Sequence, residues 1–183
     1  VKNSSLTSTH RMVWIALLAA MTAASAFLVI PIGAVPFTMQ PFFVFLSGFL
    51  LGPIHGLFAV GLYIVAGLAG LPVFSGGGAG IGHFFGPTGG YLIGFLLSPL
   101  ITGQAHEGGA GQIRWLSGLF WGIIAIAFIY AVGATWLKFS MGIPWGQSLI
   151  VGVIPFAPWD QLKLVGAVGC CRYLQKHNLA PNI

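Results

Sequence analysis

Charge is what this sequence has least of. Its 183 residues include two acids and seven Lys plus Arg, so charged residues make up only 5%. A soluble domain carries about a quarter, and so thin a charged surface would not keep a 19.2 kDa body dispersed in water. Cysteine is also scarce. Cys170 and Cys171 are adjacent, and neighbours in sequence rarely bridge each other, so no disulfide framework is expected and both read as small packing residues in an apolar run. Metal-ligand spacing is missing: His10, His55, His83, His106 and His177 fall in five separate segments, so no metal is expected. No Lys follows the glycine-rich run as a P-loop requires, and no G-x-G-x-x-G register fits it. No G-x-S-x-G elbow accompanies Ser75 and His83, which removes the support for a hydrolase. The net charge of +5 is too scattered to form a stripe for nucleic acid.

Apolar residues, by contrast, make up 57% of the chain, and the mean hydropathy is +0.95. Lipid is the solvent that fits, and in lipid the backbone must satisfy its own polar groups in helices or a closed barrel. The apolar runs are long and lack the period-2 alternation of barrel strands, so helices are expected. Six spans can be read: Met12–Ile30, stopped by Pro31; about Gln40–Gly52; about Pro53–Leu71, stopped by Pro72; about Gly89–Gly103; Trp115–Leu137; and about Gln147–Leu174, with Pro155 and Pro158 inside it. The first run shows no small-residue cleavage site before a polar region and reads as a retained span. The expectation is an all-α membrane protein, one domain over residues 1–183, with six transmembrane helices and a glycine-rich loop facing outward.

Six spans put both termini on one side. That side holds Lys2, Arg11, Arg114, Arg172 and Lys176, whereas the other holds Lys138 alone, with Lys163 inside the last span. The bias predicts cytoplasmic termini in the cytoplasmic membrane. Glu107 reads as a solvated residue of the loop before Arg114.

Polar and glycine-rich features gather in three places. The run from Ser75 to Tyr91 contains Gly76, Gly77, Gly78, His83 and Thr88; glycines there either make tight turns or let backbone approach a ligand closely. In Pro155-Phe-Ala-Pro-Trp-Asp-Gln-Leu-Lys163, Asp160 and Lys163 lie three apart on one helix face, inside or near a span, where ionisable groups are costly and usually line a cavity. They are either a self-neutralising pair or a substrate anchor. In Val35-Pro-Phe-Thr-Met-Gln40, Gln40 either bonds an amide-like substrate or caps its helix. Separately, Ala16, Ala20 and Ala24 form a smooth face on the first span, suited to internal packing or to docking against another membrane protein.

Taken together, these residues resemble the BioY family of biotin-binding membrane subunits of energy-coupling-factor transporters. Pro72-Val-Phe-Ser-Gly-Gly-Gly and Gly86-Pro-Thr-Gly-Gly-Tyr-Leu-Ile-Gly-Phe95 match its signature. Val35–Gln40 is similar to the V-P-x-T-x-Q motif. Residues 155–163 are similar to P-x-x-P-x-D-x-x-K, with Trp159 where glycine is usual. The resemblance implies a non-enzymatic six-helix subunit that captures biotin, needs no cofactor, and works with a transmembrane coupling subunit and two cytoplasmic ATPases. The alternative is a subunit of the same architecture for another vitamin or small molecule. The resemblance also makes the alanine face of the first helix the docking face. The apolar ring system, ureido group and carboxylate of biotin suit a mostly apolar pocket with a few polar groups. Asp160 would accept a ureido N–H, Lys163 would bond the ureido oxygen or the carboxylate, and Phe37, Tyr91 and Trp145 would stack on the ligand.

Overall fold

The structure is a computed structural model that describes residues 4–30, 35–106 and 112–181, with side chains from residue 9 onward. Pro31 and Glu107 lie outside the described residues. Helix α1 covers Ser4–Ser25, and a two-stranded antiparallel ribbon follows, β1 at Val29–Ile30 paired with β2 at Phe37–Thr38. The first span therefore ends earlier than the apolar run suggests. Thr22 and Ser25 turn their hydroxyls back onto the carbonyls of Leu18 and Thr22, and Val29–Ile30 goes into the ribbon.

Helix α2 covers Gln40–Leu68, with Pro41 in its first turn, where the missing N–H costs nothing. It is not one rod. Gly52 takes φ 73° and ψ −177°, a backbone conformation open essentially to glycine alone, and Pro53 follows it. A straight helix would hold Gln40 and Tyr63 roughly 35 Å apart, yet their side chains share a hydrogen bond of 2.6 Å. The run is thus a helical hairpin with legs 40–51 and 53–68. Its legs lie so close that a Cβ on Gly56 would come within 3.0 Å of the Gly48 backbone. Each leg supplies one of the expected spans.

The chain then passes through a 3-10 turn at Ser75–Gly77 and a one-turn helix α3 at Gly80–Phe84 into α4 at Gly89–Thr102. A second 3-10 turn at Gly103–Ala105 follows. Helix α5 runs Trp115–Met141 and stops at Gly142, which takes the left-handed conformation, while Ile143 N–H bonds back to the Lys138 carbonyl. Helices α6, Trp145–Gly152, and α7, Ala157–Lys176, meet at a bend of 46° around Pro155. The two legs of α2, with α1, α4, α5 and the bent pair α6–α7, make up the six-helix bundle.

Helix α4 packs against α2 and α5, and α7 closes on α2 and α5. Small residues allow these approaches: a Cβ on Gly94 would meet Ile129 at 3.0 Å, and one on Gly90 would lie 2.8 Å from the Val132 carbonyl. Phe45, Phe49, Tyr63 and Phe74 are fully buried, whereas Phe58, Leu62, Leu116, Phe120 and Leu149 point outward. An apolar exterior of this kind is stable only against lipid. Among the described residues, Trp115–Met141 is long and apolar enough to cross a membrane as one helix, with a mean hydropathy of 2.0; the run Gln40–Leu68 is as apolar, at 1.9, but is broken at Gly52, and the bent pair α6–α7 adds a further apolar stretch of sufficient length. The protein is a multi-pass membrane protein.

Candidate functional site

The bend between α6 and α7 places Asp160 in the first turn of α7, where the helix N-terminus favours a negative charge. Lys163 lies one turn further on, and its Nζ meets Asp160 Oδ1 at 2.7 Å. Both residues are buried. Tyr130 of α5 donates its hydroxyl to Asp160 Oδ2 at 2.7 Å. Lys163 also donates to the Thr38 carbonyl at 2.6 Å, and its ammonium sits 3.8 Å above the centre of the Phe37 ring. The pair is therefore held from three sides, by α5, by β2 and by its own helix.

A buried ion pair rarely stabilises a fold better than apolar residues would, because desolvating both charges offsets their attraction. Its retention needs another explanation, and the cavity beside it provides one. About 530 Å³ of atom-free space, partly open to solvent, lies against Asp160, Lys163, Tyr130, Tyr91, Gln40 and Thr38. Leu92, Phe95, Ile129 and Phe156 form apolar walls, while Pro36, Ser75 and Thr88 contribute from the connecting segments. Small-molecule sites share this pattern of mostly apolar walls with a few convergent polar groups.

Of the residues picked out in the sequence, Asp160, Lys163, Gln40, Thr88 and Tyr91 come together around this cavity. Phe37 stands beside them as the ring under Lys163 and meets Trp159 edge-on at 6.0 Å. The amide of Gln40 is held within the fold: one N–H donates to Tyr63, and the oxygen accepts from the Thr38 hydroxyl. Tyr91 lends its ring to the wall while its hydroxyl donates to the Gly152 carbonyl at 2.8 Å. Gly76, Gly77, Gly78 and His83 are not among the lining residues; of the run from Ser75 to Tyr91, its two ends and Thr88 reach the cavity. His83 instead stacks on Phe74 at 5.4 Å. Trp145 opens α6 away from the cavity, half exposed, with the Lys138 ammonium 5.3 Å from its ring. Ala16, Ala20 and Ala24 are exposed on α1.

Sequence reading missed Tyr130 and Tyr63. The one available signal was a phenol in the middle of an apolar span, where a hydroxyl needs a buried partner.

Fold and site define a class: a helical membrane bundle enclosing an apolar cavity with one charged, hydrogen-bonded anchor. The BioY family model matches residues 2–179, and the chain belongs to the BioY family. The probable biotin transporter BioY of Pyrococcus horikoshii is 38% identical over 161 residues, covering 88% of this chain and 93% of that protein. The biotin transporter BioY of Thermotoga maritima is 38% identical over 157 residues, 86% of this chain and 90% of its own length. Among solved structures, the S-component for biotin from an ECF-type ABC transporter superposes with a TM-score of 0.87 at 33% identity, covering 94% of each chain.

Proposed function

We propose that this protein captures biotin in the cavity beside Asp160 and Lys163 and serves as the substrate-binding subunit of an energy-coupling-factor transporter. The observation that carries the reading is the balanced ion pair at the cavity wall, in a chain whose relatives are named biotin transporters. Asp160 and Lys163 together bear no net charge. A ligand carboxylate brought against them would leave one uncompensated negative charge in a weakly solvated place. A ureido group adds none. It offers N–H donors to the carboxylate, and its oxygen can take the ammonium proton left over after Asp160 and Thr38 are satisfied. The ureido edge is therefore assigned to the pair, and the thiophane ring and alkyl tail to the walls formed by Leu92, Phe95, Ile129 and Phe156.

Supply and orientation are part of the same proposal. Arg172 bonds to the Ile113 carbonyl, and Gln175 accepts from Ile113 N–H, so the end of α7 and the start of α5 share one face of the bundle. Lys138 lies at the far end of α5. This separation supports cytoplasmic termini. The exposed Ala16, Ala20 and Ala24 form a smooth lipid-side stripe for a transmembrane coupling subunit, which two cytoplasmic ATPases would drive.

Equilibrium binding of labelled biotin to the purified protein tests the reading, with an amide of biotin as competitor. Saturable binding of both ligands, and equal loss of both in Lys163→Met, is expected. Binding of another vitamin in place of biotin would refute the assignment. Selective loss of the free acid would move the carboxylate onto Lys163.

A further inference from the structure

Tyr63 does not touch the cavity, yet it lies where two chains of contacts meet. Its hydroxyl accepts from Gln40 Nε2 at 2.6 Å. Gln40 Oε1 accepts from the Thr38 hydroxyl at 3.1 Å, and the Thr38 carbonyl accepts from Lys163 Nζ at 2.6 Å. On its other side the Tyr63 ring meets Phe74 edge-on at 5.8 Å, and Phe74 stacks on His83. Phe74 also closes the glycine turn, through its N–H to the Gly78 carbonyl and its carbonyl to Gly77 N–H. Tyr63 and Phe74 are essentially excluded from solvent and stand off the cavity, so neither can exchange its partner for water without moving its neighbours.

We propose that Tyr63 is a positioning residue for the ligand anchor: through Gln40 and Thr38 it fixes where Lys163 points, and through Phe74 it ties that setting to the packing of the glycine-rich segment. The proposal rests on the ligand reading above but concerns a residue outside the site. Removing the hydroxyl leaves the Gln40 amide short of a partner, and Gln40 then no longer holds Thr38 in the one orientation that presents its carbonyl to Lys163.

The test is a double-mutant cycle on the full chain. Tyr63→Phe keeps the ring and its contact with Phe74. It is expected to weaken biotin binding roughly 5–30-fold in the parent, but by less than about 2-fold where Lys163 is already Met, because nothing then remains to be positioned. Equal factors in both backgrounds, or parental affinity in Tyr63→Phe, overturn the proposal. Should Tyr63→Phe alone not yield folded protein, Tyr63→Phe with Gln40→Met removes the buried amide along with its partner and carries the same comparison. Thermal midpoints of the ligand-free parent, single and double variants form a second cycle. They are expected to be non-additive, and additive shifts refute the coupling. This arm keeps the two readings apart: a parent that fails to bind biotin refutes the ligand assignment, while the ligand-free cycle still decides the role of Tyr63.

Discussion

Asp160 carries three obligations at once. It neutralises Lys163, accepts from Tyr130 and presents its remaining lone pairs to the cavity. Asp160→Asn keeps the size and one acceptor but removes the charge, and is expected to weaken biotin binding by about 1–3 kcal/mol, read by titration with labelled ligand. Lys163→Met should cost a similar amount. His83, in the segment connecting α2 and α4, is a different kind of residue. Burial against Phe74 lowers its pKa below the ordinary 6.5. The folded protein therefore holds the neutral ring more firmly than the unfolded chain does. Stability from this group is complete above about pH 6.5 and declines as the pH falls below it. Thermal midpoints measured across pH 5–8 should show that decline in the parent and a smaller one in His83→Phe. Asp160 and Lys163 were legible in the sequence because an acid and a base three apart in an apolar run admit few uses. Tyr63 and Tyr130 were not, because a lone phenol reveals its partner only once helices distant in sequence are packed. Gln40 stood out in the sequence as a polar residue in an apolar stretch, but its bonds to Thr38 and Tyr63 are ones no spacing discloses.

At the scale of elements, the break at Gly52 decides the architecture. Gly52→Ala would force a side chain into φ 73°, ψ −177°, a penalty of about 1–3 kcal/mol before any clash is counted. The expected outcome is a lower thermal midpoint with weakened ligand binding, since the hairpin brings Tyr63 back to Gln40. Gly52 was visible beforehand as a boundary because Pro53 follows it, and the Pro and Gly punctuation placed most other spans as well. The end of the first span was misplaced because hydropathy cannot distinguish Val29–Ile30 in a helix from the same residues paired with Phe37–Thr38. Helix α1 also carries the docking prediction. Ala16→Trp or Ala20→Trp is expected to reduce co-purification with a coupling subunit while leaving biotin affinity unchanged, because the ring would stand on an exposed face and keep the two helices apart. Parallel loss of affinity would mark the stripe as internal packing.

For the molecule as a whole, orientation is the property most directly open to experiment. Cysteine placed at Gly142 or Gly146, on a background in which Cys170 and Cys171 are replaced, should react with an impermeant thiol reagent added to intact cells. Cysteine beside Arg114 should be protected until the membrane is opened. The opposite pattern would reverse the bundle. The anchor also constrains how the protein is made. Lys163 and Thr38 bond across 125 positions of sequence, and Tyr130, Asp160 and Lys163 all belong to the last two spans. Synthesis delivers Thr38, Gln40 and Tyr63 to the bilayer first, able to bond one another, while the Lys163 partner of the Thr38 carbonyl is still unmade. Asp160 and Lys163 then arrive on one helix, already neutralising each other. On the proposed reading the site is completed only when the last helix docks, so biotin binding would double as proof that the chain was finished: a product stopped before Asp160 is expected to fill the membrane with helices and hold no biotin.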